Sequence, residues 1–418
     1  MNRVCKITKK SREKIRIMTA EEYNGMSVDS RLELIQALIP LGLKAVEEEL
    51  LREVEGFAGT RYSRGLCSRY GTNPGSVVLA GQRVAIDVPR VRDISRGAEV
   101  PLTGYRRLHH GLPLEEAALT RVLRGLSCRD YRKAAMAVPE AFGLSASNVS
   151  RQFVRASRRK LKDLMERDLS SYNIVAILID GKSFSQDDLI VAVGVPMEGP
   201  RFVLGFIEAA TENAQITGHF LRQLLDRGLN IDEGVLVVVD GSKGLIAAIR
   251  KVFADKALIQ RCQWHKRENV VAYVSKAEQP FLRRRLQHAY ERPTYEEAKR
   301  ELMAIHEDLE KRNLSAAASL EEGLEETLTL HRLGLFGVLG TSLKTTNGIE
   351  TINALVEQRC GKVDYWKSSS QRQRWLAAAL LDIEPRLRRI RGHQHLWKLR
   401  EALKSELNIG NNEMRKAA

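Results

Sequence analysis

Ile177-Leu178-Ile179-Asp180-Gly181 and Val237-Val238-Val239-Asp240-Gly241 share one local pattern, an aliphatic run closed by Asp-Gly. Each run reads as a buried strand, and the Asp-Gly that follows is a common turn dipeptide. The two aspartates are thus expected at the carboxyl ends of strands. If the strands are neighbours and run the same way, the acids meet on one edge of a sheet.

The residues around these runs predict the order of strands. Ile174 to Asp180, Leu189 to Val195 and Arg201 to Ala209 are apolar runs joined by short turns, the second being Pro196-Met197-Glu198-Gly199-Pro200; they form an antiparallel meander. A helix at Gly218 to Arg227, a strand at Val235 to Asp240, a helix at Ser242 to Phe253 and a short strand near Leu258 to Arg261 follow. Three strands, helix, strand, helix, strand is the ribonuclease H-like α/β arrangement. Its mixed five-stranded sheet has the first strand at the centre and the fourth parallel beside it. In that order Asp180 and Asp240 become neighbours. The expected first part of this core is 169–275, followed by a charged, all-α insertion over 276–340. A core helix over 341–366 carries a third acid, Glu350. A basic tail, 367–418, includes Arg386, Arg388, Arg389 and Arg391 and is helical to about Leu407.

Ahead of the core, 1–110 reads as a mainly helical region with a short β segment. Leu32, Leu34, Ile35 and Leu38, then Leu43, Val46, Leu50 and Leu51, recur at helical spacing on either side of Pro40, which predicts two short helices. Beyond a Gly-rich patch at Gly65 to Gly75, Arg83 to Val91 alternates with period two, a half-exposed strand whose basic outward residues are placed to meet phosphate. Over 111–168 three helical segments are divided by tight breaks, one ending at Gly125, one starting after Ser127, and one after Gly143 with Ser145 as N-cap. That spacing is a helix-turn-helix pattern. Its third helix presents Asn148, Arg151, Arg155, Arg158 and Arg159, while Val149, Phe153 and Leu161 hold the opposite face. Polar residues near the amino end of such a helix can reach base edges and arginines farther along bind phosphate. The other reading is an ordinary solvated basic helix in a small bundle.

Size and charge agree with a nucleic-acid partner. The chain has 418 residues, 43% hydrophobic and 28% charged, enough for several globular domains. With 67 Lys+Arg against 52 Asp+Glu the net charge is +15, the balance of a polyanion binder, although membrane-surface proteins share it. No apolar run approaches the roughly 18 residues of a membrane span. Met1 to Lys14 lacks the apolar stretch of a secretory signal. The five scattered cysteines lack a Cys-x-x-Cys pair, which argues against a disulfide framework. A cytoplasmic, nucleoid-associated location is expected.

Two strand-end aspartates and a helical glutamate would suit phosphoryl transfer. Two divalent ions about 3.5–4 Å apart activate the attacking oxygen, stabilise the leaving one and neutralise the phosphate between them. Oxygen ligands suit Mg2+ or Mn2+. Spacing does not choose the third ligand: Glu350 and Glu357 lie on the same helix, and Asn347 to Glu350 also fits a capping box.

The blocks Asp180-Gly181, Asp240-Gly241-Ser242-Lys243-Gly244-Leu245, Ile259 to Val270 and Thr345-Thr346-Asn347-Gly348-Ile349-Glu350 resemble the mutator-type transposases of bacterial insertion sequences, within the DDE recombinase group. The resemblance covers most of the chain. Its most specific element is Cys262-x-x-His265 just after the last strand. It implies that Asp180, Asp240 and Glu350 are the catalytic, metal-binding triad, holding two Mg2+ or Mn2+ ions, and that the helical stretch between Asp240 and Glu350 is the family's insertion. The expected function is a transposase that binds terminal inverted repeats and cuts and joins double-stranded DNA, including target DNA, as a homodimer or higher oligomer. The alternatives are a ribonuclease H-like nuclease or resolvase without strand transfer, and an inactive DNA-binding relative. Cys262 and His265 are possible active-site neighbours. A structural zinc would need four ligands, and no second Cys/His pair lies at suitable spacing.

Overall fold

The computed structural model describes residues 28–61, 65–79, 82–110, 114–129, 145–184, 187–209 and 213–408. It divides into two compact units, with the boundary inside one helix between Phe153 and Val154.

In the first unit, helix α1 (Val28–Ala58) precedes an antiparallel sheet of β1 (Cys67–Leu79), β2 (Gln82–Asp93) and β3 (Ala98–Val100), then helices α2 (Thr103–His110) and α3 (Leu114–Leu123). The period-two reading of β2 holds, with Val84, Ile86 and Val88 buried between exposed Ala85 and Asp87. Its outward arginines are engaged within the unit. Arg90 makes a bidentate pair with Glu99 at 3.0 and 2.9 Å, and Arg83 donates to the Ser76 hydroxyl at 2.9 Å.

Two expectations about this unit need correction. The two short helices flanking Pro40 are one continuous helix, α1. Proline's fixed φ is helical, so its cost is mainly the lost hydrogen bond and crowding of one turn. On the far side, Val46, Leu50, Val54 and Ala58 recur every fourth residue and are buried against Val77, Ile86, Val88 and Val91. The Gly-rich patch is strand β1. Its register with β2 shifts between Arg69 and Thr72, where Gly71 takes a φ of +75° that few side chains tolerate.

Helix α4 (Ala146–Met165) crosses the unit boundary. Ser145 caps it as expected, its Oγ accepting from the Asn148 N–H at 3.3 Å. Val149, Phe153 and Ala156 are buried, Asn148 is half-buried, and Arg151, Arg155, Arg158 and Arg159 are exposed. The middle helix of the expected helix-turn-helix falls mostly on 130–144, outside the described residues.

The second unit has the predicted element order. Strands β4 (Ile174–Phe184), β5 (Asp187–Pro196) and β6 (Phe202–Ala209) precede helix α5 (Ala214–Asp226), β7 (Val235–Val239), α6 (Lys243–Phe253) and β8 (Ala257–Arg261). They form one mixed sheet in the order β6-β5-β4-β7-β8. The β4–β5 and β5–β6 pairs are antiparallel, and β4–β7 and β7–β8 are parallel. Burial on both faces explains why β4 and β7 read as continuous apolar runs.

Ile177, Ile179, Val237 and Val239 face the core made with α5 and α6. Leu178 and Val238 face the opposite core, built with α13 (Phe336–Leu343), α14 (Asn347–Cys360), α15 (Ser369–Ile383) and α16 (Leu396–Glu406). Between β8 and α13 run α7 (Gln263–Val271), α8 (Gln279–Tyr290), α9 (Tyr295–Glu310), α10 (Leu314–Glu321) and the short α11 (Leu324–Thr327) and α12 (Thr329–Arg332). Leu286, Leu302, Ile305 and Leu320 are among the residues that give this helical stretch its own core.

The segment read as a basic tail contributes to the sheet's packing. Leu376, Leu380, Leu396, Leu399 and Leu403 are fully buried. Arg400, only 6% exposed, donates to the Asn173 Oδ1 and Ile174 carbonyl at 2.6 and 2.7 Å. Arg167 and Glu384 form a bidentate pair at 2.9 and 2.8 Å. Glu384 also accepts from the Val203 N–H at 2.8 Å, fastening the end of α15 to β6.

Candidate active site

The parallel β4–β7 ladder ends with Ile179 opposite Val239, so Asp180 and Asp240 are the next residues on adjacent strands. Side chains alternate along a strand, and both acids therefore continue the face of Leu178 and Val238, the one covered by α14. Asp180-Gly181 is not a turn: β4 runs on to Phe184, paired antiparallel with β5. Asp180 is buried and Asp240 half-buried. One Asp240 carboxylate oxygen, Oδ1, accepts from the Ser242 N–H at 2.9 Å. Gly241 between them has a φ of +108°.

Helix α14 brings Glu350 to the same place. Its first turn sits close to β4, because a Cβ on Gly348 would lie 3.2 Å from Leu178 Cδ2. Ile349, Ile352 and Val356 anchor the helix in the core beneath. The capping-box reading does not hold. Thr346 is the N-cap and Asn347 the first helical residue, so Glu350 is freed from a capping role. Its Oε1 is buried without a hydrogen-bond partner. Glu357 lies elsewhere, exposed and paired with Lys182 at 3.6 Å.

His265 lies beside Glu350 and within the electrostatic reach of Asp180 and Asp240. Its Nε2 is 4.0 Å from Glu350 Oε1. Burial would lower its pKa, but the hydrogen bond and charge of Cys262 and the negative charges of Asp180 and Asp240 raise it to about 9. An imidazolium here offsets the mutual repulsion of the carboxylates. Burial pushes the Cys262 thiol up, yet its interactions with His265 and the Thr346 N–H bring it below the ordinary thiol range.

The Cys-x-x-His block also ties the two sides of the site together. The Cys262 N–H donates to the Val239 carbonyl at 2.7 Å, and the Gln263 N–H to the Lys344 carbonyl at 3.0 Å. Fully buried Thr346 donates its N–H to Cys262 Sγ at 3.5 Å. Its hydroxyl lies 3.7 Å from the same sulfur and 3.4 Å from His265 Nδ1. The residue that starts α14 is thus fastened to the block that follows β8.

Two contributors were not singled out from the sequence. Thr346 was one, and Arg261, only 4% exposed, was the other. Arg261 donates to the Gly241 carbonyl at 3.1 Å and the Glu322 carbonyl at 3.0 Å, holding the backbone after Asp240 to the helical stretch. Gly241 and Gly323, having no Cβ, leave room for its guanidinium, where a Cβ would collide. The available signal was an arginine closing the buried strand β8.

Among the described residues, no three Asp, Glu, His or Cys side chains close tightly enough to enclose an ion by themselves. The described helices include none long and apolar enough to cross a membrane.

Comparison with known proteins places the chain in a family. Residues 10–387 match the profile described as "Transposase, Mutator family". The chain is 27% identical over 380 residues to the transposase for insertion sequence element IS256 in transposon Tn4001 of Staphylococcus aureus, covering 86% of this chain and 87% of that protein. It is 28% identical over 338 residues to the transposase for insertion sequence element ISRM5 of Rhizobium meliloti, covering 78% and 79%. The transposase for insertion sequence element IS6120 of Mycolicibacterium smegmatis is 28% identical over 245 residues, covering 57% of this chain and 74% of its own length.

Proposed function

The chain belongs to the Mutator family of transposases, and from that membership we propose that it binds the terminal inverted repeats of an insertion sequence and catalyses metal-dependent cleavage and transfer of DNA strands. The second unit is read as a ribonuclease H-like core interrupted by an all-α insertion. Asp180, Asp240 and Glu350 are its catalytic DDE triad. The observation that carries this reading is the parallel β4–β7 ladder that sets Asp180 next to Asp240, with the first turn of α14 packed against the same face.

The residues present fit Mg2+ or Mn2+. The donors are carboxylate oxygens, and Glu350 Oε1 is buried with no hydrogen-bond partner. Mg2+ is commonly held by one or two carboxylates, with water and substrate phosphate completing its shell. Asp180, Asp240 and Glu350 would be the residues that hold the ions. When bound, the ions activate the attacking oxygen and neutralise charge on the phosphate.

The protein's part is positioning. The parallel ladder fixes the two aspartates, Thr346 and Gly348 fix the start of α14, and the Cys262–His265 block joins them. Water and a freed 3' hydroxyl are equivalent nucleophiles at such a site, so one triad serves both cleavage and joining. Asn148, Arg151, Arg155, Arg158 and Arg159 of α4 are assigned to DNA recognition, the arginines contacting phosphate. Joining two ends in concert calls for a homodimer or higher oligomer on DNA.

The test incubates the full chain with inverted-repeat DNA, target DNA and Mg2+, comparing wild type with Asp180→Asn. Wild type should nick and join, and the variant do neither. Nicking without joining would make the protein a nuclease or resolvase, and no cleavage by wild type would leave a DNA-binding relative.

A further inference from the structure

Arg386, Arg388, Arg389 and Arg391 follow α15, and all four are exposed. Residues 387–390 lie outside any helix and dock on the turn between β5 and β6. Arg389 forms a β-bridge with Pro200, the Ile390 N–H donates to the Gly199 carbonyl at 3.2 Å, and Arg201 Nε donates to the Arg388 carbonyl at 3.4 Å. On the other side the Ser342 hydroxyl of α13 donates to the Arg391 carbonyl at 3.1 Å. Ile390 and Leu387 join the core beneath. Main-chain contacts from two elements thus fix the segment and leave its arginine side chains in solvent.

These cations are not neutralised by the protein. Among the described residues, no carboxylate is within ion-pair reach of Arg201, Arg386, Arg388, Arg389 or Arg391. Burial lowers the Arg201 pKa with no acid opposing it. The acids of α15 and β6 are engaged with other arginines: Glu384 with Arg167, Asp382 with Arg359, and Glu208 with Arg372. The β5–β6 turn itself carries one exposed acid, Glu198, against five cations. Like charges held on one surface repel, and a polyanion relieves that repulsion. The patch also adjoins the candidate active site. A Cβ on Gly348 would lie 2.8 Å from Arg201 Nη1, so this guanidinium rests against the first turn of α14, two residues before Glu350. Guanidinium groups pair with phosphate through a planar fork, and each strand of a duplex presents a phosphate about every 3.4 Å along its axis.

We propose that Arg201 and the arginines of 386–391 form a phosphate-binding surface, in addition to α4, that holds the backbone of DNA entering the carboxylate site. The proposal rests on the transposase reading for its ligand. Contacts of this kind position DNA without reading its sequence.

The test measures how the binding of labelled duplexes to the full chain depends on salt. The triple variant Arg386→Ala, Arg389→Ala, Arg391→Ala alters exposed side chains only, and its urea midpoint should match wild type. The slope of log affinity against log salt should fall by about 0.9 for each phosphate no longer neutralised, roughly 2–3 in all. Lysine at the same three positions should keep the wild-type slope, and so should a control in which the exposed Lys251, Arg300 and Lys311 are replaced by alanine. A fall on the repeat-end duplex assigns the surface to the end being cut. A fall confined to capture of an unrelated duplex by the preformed chain–end complex assigns it to target DNA. No fall on either, a fall that lysine fails to restore, or an equal fall in the control overturns the surface while the transposase reading stands. A wild-type chain that neither binds nor cuts the repeat-end duplex overturns that reading and the surface with it.

Discussion

Gly348→Ala probes how α14 presents Glu350. Gly348 lies two residues before Glu350, and Leu178 two before Asp180, so their approach sets the spacing between the two acids. The added methyl would sit 3.2 Å from Leu178 Cδ2 and 2.8 Å from Arg201 Nη1. Arg201 can swing its guanidinium away. Leu178, 1% exposed in the sheet, cannot, so the first turn of α14 must withdraw by a few tenths of an ångström. Alanine gains about 0.5–1 kcal/mol over glycine in a helix. Overpacking costs about 1–3 kcal/mol, leaving a net loss of about 0–2.5 kcal/mol. Activity should suffer more than stability. A misplacement of about 1 Å can cost about 100-fold in rate, so a few tenths should cost roughly 3- to 10-fold. Single-turnover cleavage and urea unfolding on the same preparation separate the effects. A variant that cleaves at the wild-type rate, whatever its stability, would refute the claim that this approach sets the geometry.

Other perturbations test other parts of the site. Thr346→Val removes the hydroxyl shared with Cys262 and His265 and should cost about 1 kcal/mol in urea unfolding and slow cleavage; no change in either would deny Thr346 its joining role. Lys266, 2% exposed, has its pKa lowered from 10.5 to about 8, mainly by burial. Between those values the unfolded chain binds more protons than the folded one, so this residue makes stability rise with pH across that window. The wild-type urea midpoint relative to that of Lys266→Met should climb from pH 8 to 10, and a flat difference would show that burial does not depress the Lys266 pKa. Replacing Arg151 and Arg155 of α4 together by alanine should weaken repeat binding and flatten its salt dependence, the slope falling by about 0.9 for each phosphate no longer neutralised. An unchanged slope would remove that face from the DNA surface.

Much of this arrangement was legible in the sequence because the informative signals were local and strong. The aliphatic runs of β4 and β7 gave the buried centre of the sheet, and the order of the strands placed Asp180 beside Asp240. Ser145 was readable as a cap because capping is an interaction within one turn. Features decided by distant partners were hidden. Strand β1 is rich in glycine and polar residues, and its pairing with β2 holds it extended. Helix α1 continues past Pro40, beyond which Val46 to Ala58 are buried against that sheet. Arg400 and Arg372 fall within the segment read as a basic tail, but each is held by groups far away in the chain, Asn173 and Glu208. Glu350 and Glu357 were equivalent in spacing. They separate only in space, one beside His265 and the other on Lys182.

Whether Asp180, Asp240 and Glu350 act at one metal centre is tested by replacing each in turn by cysteine, with Glu357→Cys as the comparison, and measuring cleavage in Mg2+ and in Mn2+. A thiolate is a poor ligand for Mg2+ and a better one for Mn2+. All three variants should lose cleavage in Mg2+ and regain part of it in Mn2+, while Glu357→Cys stays active in both. A Glu350→Cys variant fully active in Mg2+, or an Asp180 or Asp240 variant that cuts normally without Mn2+, would contradict it.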